Sequence, residues 1–94
     1  MMKTIPVTAV VPTANRPVVF RQTLTSMAAQ SFQPEEIIVV DASENDQTAL
    51  VCKEPIQGLL SKIHYQQALV KGAASQRNQG LKGIHNGVIF FFDD

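Results

Sequence analysis

The sequence lacks the residues that mark several common classes of protein. A single cysteine, Cys52, excludes an internal disulfide and a multi-cysteine zinc site. Eight basic and eight acidic residues are mixed along the chain, and no basic block indicates a nucleic-acid partner. The apolar stretch near the N terminus is too short and too interrupted for a signal peptide or a membrane span. We therefore expect a cytoplasmic protein, either free or, as part of a longer chain, at the cytoplasmic face of a membrane.

Three well-known motifs are absent as well. There is no G-x-x-x-x-G-K-[ST] phosphate loop, no G-x-G-x-x-G after the first apolar run and no G-x-S-x-G nucleophile elbow. His64 and His85 have no second histidine or cysteine at metal-ligand spacing, so we expect structural roles for both.

What is present is a set of four apolar segments. The chain has 94 residues, of which 45% are hydrophobic, and this describes one folded unit over residues 1–94. Segments 7–12, 36–41, 62–66 and 88–93 are rich in Val, Ile, Phe and Tyr and predict strands. Three of the four are almost uniformly apolar, which is typical of parallel strands covered on both faces.

The first two connections between these strands predict helices of unequal quality. Pro17 can open the first helix, which we expect to end near residues 31–32. Its apolar stripe consists of Phe20, Leu24, Met27 and Ala28. The second connection, residues 43–60, is interrupted by Pro55 and predicts a broken helix. Its apolar contacts are expected to be Leu50, Val51, Leu59 and Leu60.

The third connection, residues 72–86, predicts a helix weakened by its glycines. We expect Ala74, Leu81 and Ile84 to form its apolar side. Strands and helices then alternate along the whole chain. This order predicts an α/β fold, an open and mainly parallel Rossmann-like sheet with helices on both faces.

Ligands of such sheets bind beyond the carboxyl ends of the strands, so the residues there are the candidates for a site. Asp93 and Asp94 end the fourth strand, where paired carboxylates suit a hard divalent cation together with phosphate oxygens. Asp41 ends the second strand and could accept a hydrogen bond from a ligand. Arg77 lies where the third helix begins and could reach a diphosphate or stack on a base. Solvated acids, an Asp-Ala-Ser turn and a surface arginine are the alternatives.

Four strings of the sequence, taken in order, carry a family resemblance. VVPTANRP is similar to V-[IV]-P-T-x-N-R, and LTSMAAQSFQPEEIIVVDAS to L-x-S-[IL]-x-x-Q-[ST]-x-x-x-x-E-[IV]-[IV]-V-V-D-D-[GS]-S. GAASQRNQGL is similar to G-x-x-x-A-R-N-x-G-[IL], and NGVIFFFDD to G-x-[IY]-[IL]-x-F-[LF]-D-D-D. They occur in the right order from residue 10 to residue 94, and together they resemble glycosyltransferase family 2, the nucleotide-sugar transferases with the GT-A fold.

The resemblance implies a site. Asp41 would hydrogen-bond the base, usually uracil, Arg77 would contact the nucleotide, and Asp93 with Asp94 would begin the Asp-x-Asp motif that holds the donor diphosphate through Mg²⁺ or Mn²⁺. The implied nucleotide-binding residues are Pro12, Thr13, Asn15, Arg16, Asp41, Ser43, Arg77 and Asp93. The implied metal ligands are Asp93 and Asp94. Two departures from the family pattern are Ala42, where a second acid is common, and Gln76, where a small residue is usual.

The implied function is transfer of a hexose from a nucleoside-diphosphate sugar, most often a UDP-sugar, to an acceptor hydroxyl on a sugar or glycoconjugate, with inversion. We expect the chain to be the N-terminal part of a GT-A domain, cut within Asp-x-Asp, with the general base beyond Asp94. By itself it would then be inactive, and it could associate with itself through the apolar fourth strand.

Three other functions are alternatives, and two of them disagree with the residues that follow the first strand. A non-catalytic nucleotide-binding or assembly module fits the length of the chain. A phospho-acceptor receiver domain needs acids after the first strand, where this chain has Pro-Thr-Ala-Asn-Arg. A sugar nucleotidyltransferase usually has a glycine-rich loop at that point, and the chain has none there.

Overall fold

The computed structural model describes residues 2–84 and 88–91, and for residues 88–90 it describes the backbone alone. The elements, in chain order, are β1 (Lys3–Thr13), α1 (Pro17–Ala28), β2 (Phe32–Asp41), α2 (Gln47–Lys53), β3 (Lys62–Gln67), α3 (Ala73–Leu81) and β4 (Val88–Phe91). Strands and helices alternate as the sequence predicts. Across the described residues, the helices are too short or too polar to cross a membrane.

The strands form one parallel sheet in the order β3-β2-β1-β4, which confirms the predicted open parallel architecture. Strands β1 and β2 begin at Lys3 and Phe32, earlier than the sequence predicts, because they pair with each other from those residues onward. The pairing is irregular between Ile5 and Thr8. Since β1 has β2 on one side and β4 on the other, the order of the strands reverses at β1, where ligands of open α/β sheets bind.

One face of the sheet packs against α1 and α2. Alternate residues of β1 and β2 meet the apolar stripe of α1, and this cluster is the core of the protein: Ala9, Val11, Phe20, Leu24, Met27, Ile37, Val39 and Val51. The predicted stripe of α1 is therefore confirmed, although the helix ends at Ala28 because the chain turns into β2. Arg21 of α1 also forms a two-point ion pair with Glu54, at 2.7 and 3.1 Å.

Two residues expected to make contacts in the second connection are exposed instead. The broken helix is confirmed, since α2 ends at Lys53, before Pro55, and Val51 is buried. Leu50 and Leu60, however, are 51% and 48% exposed. Leu50 precedes Val51 on a helix of two turns, so its side chain points about 100° away from the core.

The other face packs against α3, and here the expected apolar side is wrong. Ala74 is exposed and Leu81 is 38% exposed, whereas Gln76 and Gly80 are the buried residues of the helix. A Cβ atom on Gly80 would lie 2.6 Å from Cγ1 of Val10, so the glycine lets α3 approach the sheet closely. The helix α3 therefore packs on the sheet through the close approach of its backbone at Gly80, and not through an apolar stripe.

Candidate functional site

The carboxyl ends of three strands meet at one edge of the sheet. Thr13, Asp41 and Gln67 are neighbours in the strand register and are the last residues of β1, β2 and β3. The loops that leave these strands therefore start side by side. Because the backbone amide of Ala42 donates to the carbonyl of Thr13 at 2.9 Å, the first two loops remain joined one residue past the sheet.

Asn15 and Ser43 connect the same two loops through side chains. The backbone N–H of Asn15 donates to Ser43 Oγ at 2.7 Å, and the N–H of Glu44 donates to Asn15 Oδ1 at 2.9 Å. Asn15 has a φ of 56°, in the left-handed region that asparagine tolerates better than most residues. The structure thus gives both predicted residues a role in shaping the loops.

Asp41 is buried, and protein donors hold both of its carboxylate oxygens. Oδ1 accepts hydrogen bonds from the backbone N–H and the hydroxyl of Ser43, and Oδ2 accepts one from Tyr65 at 2.7 Å. Burial, and then the hydrogen bond to Asp41, raise the pKa of Tyr65 well above its ordinary value. Burial also raises the pKa of the nearby Cys52 thiol, to about 11, so this cysteine is a poor nucleophile at neutral pH.

A cleft of about 340 Å³ opens beside this network, between the β1–α1 loop and the first turn of α3. Its lining residues are Pro12, Thr13, Ala14, Arg16, Ala73, Gln76 and Arg77. Two of them carry guanidinium groups, while none carries a carboxylate. A cleft with this charge beside a helix N terminus suits an anion that presents several oxygens, such as a diphosphate.

Arg77 also connects the cleft to β4. Its guanidinium carbon lies 5.8 Å from the centre of the Phe91 ring, within cation–π distance. Phe91 is paired with Val10 in the sheet. The side chain of Arg77 therefore lies at the side of β1 where the strand order reverses.

A second hollow, of about 380 Å³, lies over the ends of β2 and β3. Its lining residues are Asp41, Ala42, Ser43, Gln67, Ala68, Leu69 and Lys71. The hollow borders the cleft, because Asp41 and Thr13 are paired neighbours in the sheet. A ligand long enough to occupy both would lie across the strand ends.

The structure brings most of the predicted site residues together. Pro12, Thr13, Arg16 and Arg77 line the cleft, Asp41 and Ser43 line the hollow, and Asn15 joins their loops. Asp93 and Asp94 lie outside the described residues. Within the described part of the chain, no group of three or more His, Cys, Asp or Glu side chains could hold a metal ion.

Two residues that the sequence did not single out for a role at this edge are Tyr65 and Gln76. Tyr65 lies on β3, beside Val39 of β2, and holds Asp41. Gln76 is buried and lines the cleft. The signal for Gln76 was its place before Arg77, where a small residue is usual. No feature of the sequence indicates Tyr65, because its contact with Asp41 depends on the pairing of β3 with β2.

Comparison with known proteins gives three consistent results. The model of the family described as "Glycosyl transferase family 2" matches residues 8–94. "Glycosyltransferase GlyA" of Streptococcus pneumoniae serotype 4 is 29% identical over 87 residues, which are 93% of this chain and 12% of that protein. The crystal structure of S. aureus TarS aligns over 95% of this chain and 16% of that chain, with a TM-score of 0.71 and 25% identity. The chain therefore spans a small part of the relatives it matches.

Proposed function

The chain belongs to glycosyltransferase family 2, and from this premise we propose that it binds the nucleoside diphosphate of a sugar donor at the carboxyl edge of its sheet. Its fold is that of the N-terminal, Rossmann-like half of a GT-A domain. The observation that carries the proposal is the cleft, whose lining includes Arg16, Arg77 and the strand-end residue Thr13, the sheet neighbour of the buried Asp41.

The diphosphate is assigned to the cleft because of its charge and its walls. Guanidinium groups form paired hydrogen bonds with phosphate oxygens. The cleft contains two such groups, those of Arg16 and Arg77. The first turn of α3 lies at the same place, and the N terminus of a helix favours negative charge. The volume of about 340 Å³ is at the small end of the usual range for ligand pockets, which suits one part of a larger ligand.

The base is assigned to the neighbouring hollow. Oδ2 of Asp41 accepts one hydrogen bond, from Tyr65, and a carboxylate oxygen can accept a second. An N–H group of a base that entered the hollow would supply that donor, as uracil does. Ser43 and the amide of Gln67 offer further polar contacts along the same wall.

The metal and the transfer reaction belong to the proposal through the family. Asp93 and Asp94 are the residues that would hold Mg²⁺ or Mn²⁺, and such an ion offsets negative charge on a leaving diphosphate. Transfer of a hexose to an acceptor hydroxyl with inversion requires an acceptor site and a general base. We assign neither to a residue of this chain, which spans 12% of the GlyA protein and 16% of the TarS chain, and we expect the chain alone to bind a donor without transferring it.

Isothermal titration with UDP and with GDP, each with and without Mn²⁺, tests the proposal. We expect UDP to bind, and to bind more tightly with Mn²⁺ present. Arg77→Ala should weaken binding roughly tenfold or more, because charged hydrogen bonds to phosphate are lost. Lys82→Ala is the matched control, since Lys82 is an exposed cation at the opposite end of α3 and should not affect affinity.

Asp93→Asn tests whether the effect of Mn²⁺ on UDP binding depends on the proposed metal ligand. We expect this variant to bind UDP equally well with and without Mn²⁺, at the affinity that the unsubstituted chain has without Mn²⁺. A chain that is folded by circular dichroism and binds neither nucleotide would contradict the proposal. Binding of GDP in preference to UDP would support the proposed donor site but show that the preferred base is guanine. Nucleotide binding unaffected by Mn²⁺ in the unsubstituted chain would favour a non-catalytic nucleotide-binding module.

A further inference from the structure

Gln76 is a buried polar side chain at the point where three elements meet. It is 4% exposed. Its Nε2 donates to the carbonyl of Val40 at 2.8 Å and to that of Thr13 at 3.1 Å, and its Oε1 accepts from the N–H of Gly72 at 3.1 Å. One amide thus joins the end of β1, the end of β2 and the start of α3. Both polar atoms of the side chain are satisfied, as burial requires.

The start of α3 depends on this side chain. The residue at the N-cap is Gly72, whose φ is 138°, and it has no side chain to cap the helix. Gln76 instead satisfies the amide of the N-cap residue, since its Oε1 accepts from the N–H of Gly72 at 3.1 Å. Its own N–H donates to the carbonyl of Gly72 at 2.8 Å, which is the first main-chain hydrogen bond of the helix. The contact to Gly72 corresponds to one half of a capping box, in which a polar side chain near the start of a helix reaches back to the N-cap amide. The helix is otherwise weakly specified, with Ser75, Asn78 and Gly80 among its nine residues.

We propose that Gln76 is a positioning residue for the cleft, which holds Arg77 and the first turn of α3 at a set distance from the strand ends. Gln76 and Arg77 are adjacent in the chain, and both line the cleft. The opposite wall includes Thr13, whose carbonyl Gln76 contacts. Fixing that contact fixes the separation of the two walls. The ligand in question is the nucleoside diphosphate, so this part of the inference depends on the proposed function.

Gln79 offers a matched comparison on the same helix. Its Nε2 donates to Oε1 of Gln66 at 3.0 Å and to the carbonyl of Gln67 at 2.9 Å, and its Oε1 accepts from the N–H of Leu69 at 2.8 Å. Among the described residues, the side chains of Gln76 and Gln79 therefore make three hydrogen bonds each. Gln79 ties α3 to β3 and does not line the cleft. If these side chains only anchor the helix, substitutions at positions 76 and 79 should have similar effects. If Gln76 sets the geometry of the cleft, only substitutions at position 76 should weaken ligand binding.

The first measurement needs no nucleotide. Backbone amide hydrogen exchange should be compared in the unsubstituted chain, Gln76→Ala, Gln76→Glu, Gln79→Ala and Gln79→Glu. The two glutamates keep the side-chain volume while removing the NH₂ donor. We expect both substitutions of Gln76 to increase exchange about tenfold at residues 76–78, whose amides make the first main-chain hydrogen bonds of α3, since each substitution removes hydrogen bonds to buried carbonyls. Both substitutions of Gln79 should leave these amides within about twofold of the unsubstituted chain.

The second measurement is UDP affinity in the presence of Mn²⁺, at a temperature where all five proteins are folded. We expect the Kd to increase about five- to tenfold for both Gln76 variants and less than about twofold for both Gln79 variants. Equal losses at positions 76 and 79 in both measurements would overturn the proposal. So would a loss in Gln76→Ala that Gln76→Glu restores, because side-chain volume would then explain it. If the unsubstituted chain binds no UDP while the exchange differences appear, the proposed function fails and the positioning role stands.

Discussion

The carboxylate of Asp41 is held from two sides, by Ser43 on its own loop and by Tyr65 on the neighbouring strand. A buried acid with this many donors has a defined orientation before any ligand arrives. The same is true of the amide of Gln76 at the ends of β1 and β2. At the scale of single residues, the candidate site is therefore organised in advance by buried polar side chains, and pre-organisation of this kind reduces the cost of binding.

Tyr65→Phe tests the support of Asp41. The substitution keeps the ring and removes one hydrogen bond to a carboxylate, so we expect the free energy of unfolding at neutral pH to fall by about 1–2 kcal/mol. Urea unfolding followed by circular dichroism measures it. Thr25→Ala is the control, because the Thr25 hydroxyl bonds only to its own helix on an exposed face. An unchanged urea midpoint in Tyr65→Phe would show that the contact contributes nothing to stability.

The pH dependence of the same pair has a definite sign. Folding raises the pKa of Tyr65 above its ordinary value of about 10, so the fold favours the neutral phenol. This contribution is fully present below pH about 10 and is lost as pH rises toward the folded pKa. We expect the difference in urea midpoint between the unsubstituted chain and Tyr65→Phe to shrink above pH about 10. Cys52, unchanged in both proteins, adds the same alkaline loss to each. Parallel curves for the two proteins would contradict the assignment.

At the scale of elements, the three helices differ in how well the sequence describes them. The stripe of α1 is a regular apolar pattern, and all four of its predicted members are buried. In the connection that contains α2, Pro55 correctly indicates the break, but Leu50 and Leu60 are exposed. In α3 the buried positions are Gln76 and Gly80, which no hydrophobic pattern can indicate. Periodicity identifies a helix that buries apolar side chains and misses the buried face of one that packs through its backbone.

Gly80→Ala tests the close approach of α3. Alanine has the higher helix propensity, yet its Cβ would lie 2.6 Å from Val10 Cγ1, and α3 would have to move away from the sheet. We expect a loss of about 1–3 kcal/mol in the free energy of unfolding, measured in urea. Gly83→Ala is the matched control. The nearest atoms to its Cβ would be 3.7 Å away, an ordinary contact, so the change should be small. Equal stability of the two variants would refute the packing argument.

At the scale of the whole molecule, exposed apolar groups coincide with a net charge of zero. Phe91 on β4 is 43% exposed, and in the described part of the chain β4 pairs with β1 alone. The isoelectric point is about 6.7, so electrostatic repulsion between copies is weakest near neutral pH. An open strand edge beside an apolar side chain favours pairing with another chain.

Self-association through β4 is therefore expected. Light scattering should give a mass that rises with protein concentration near pH 6.7 and rises less about two pH units higher. Phe91→Lys should reduce the effect, since a lysine on an edge strand opposes pairing. Val18→Lys is the control, because Val18 is 61% exposed but lies on α1. A monomer mass at every concentration would rule the association out.

The sequence by itself determined the alternation of strands and helices, the stripe of α1, the family resemblance and the residues that follow each strand. These depend on local spacing and on motifs, which can be read in one dimension. Only the tertiary structure decided that β1 lies between β2 and β4, that Tyr65 therefore reaches Asp41, and that Gln76 joins two strand ends to the helix of Arg77. The physical reason is that strand order and close backbone approach come from contacts between distant segments, and these decide which polar groups are buried and must find partners.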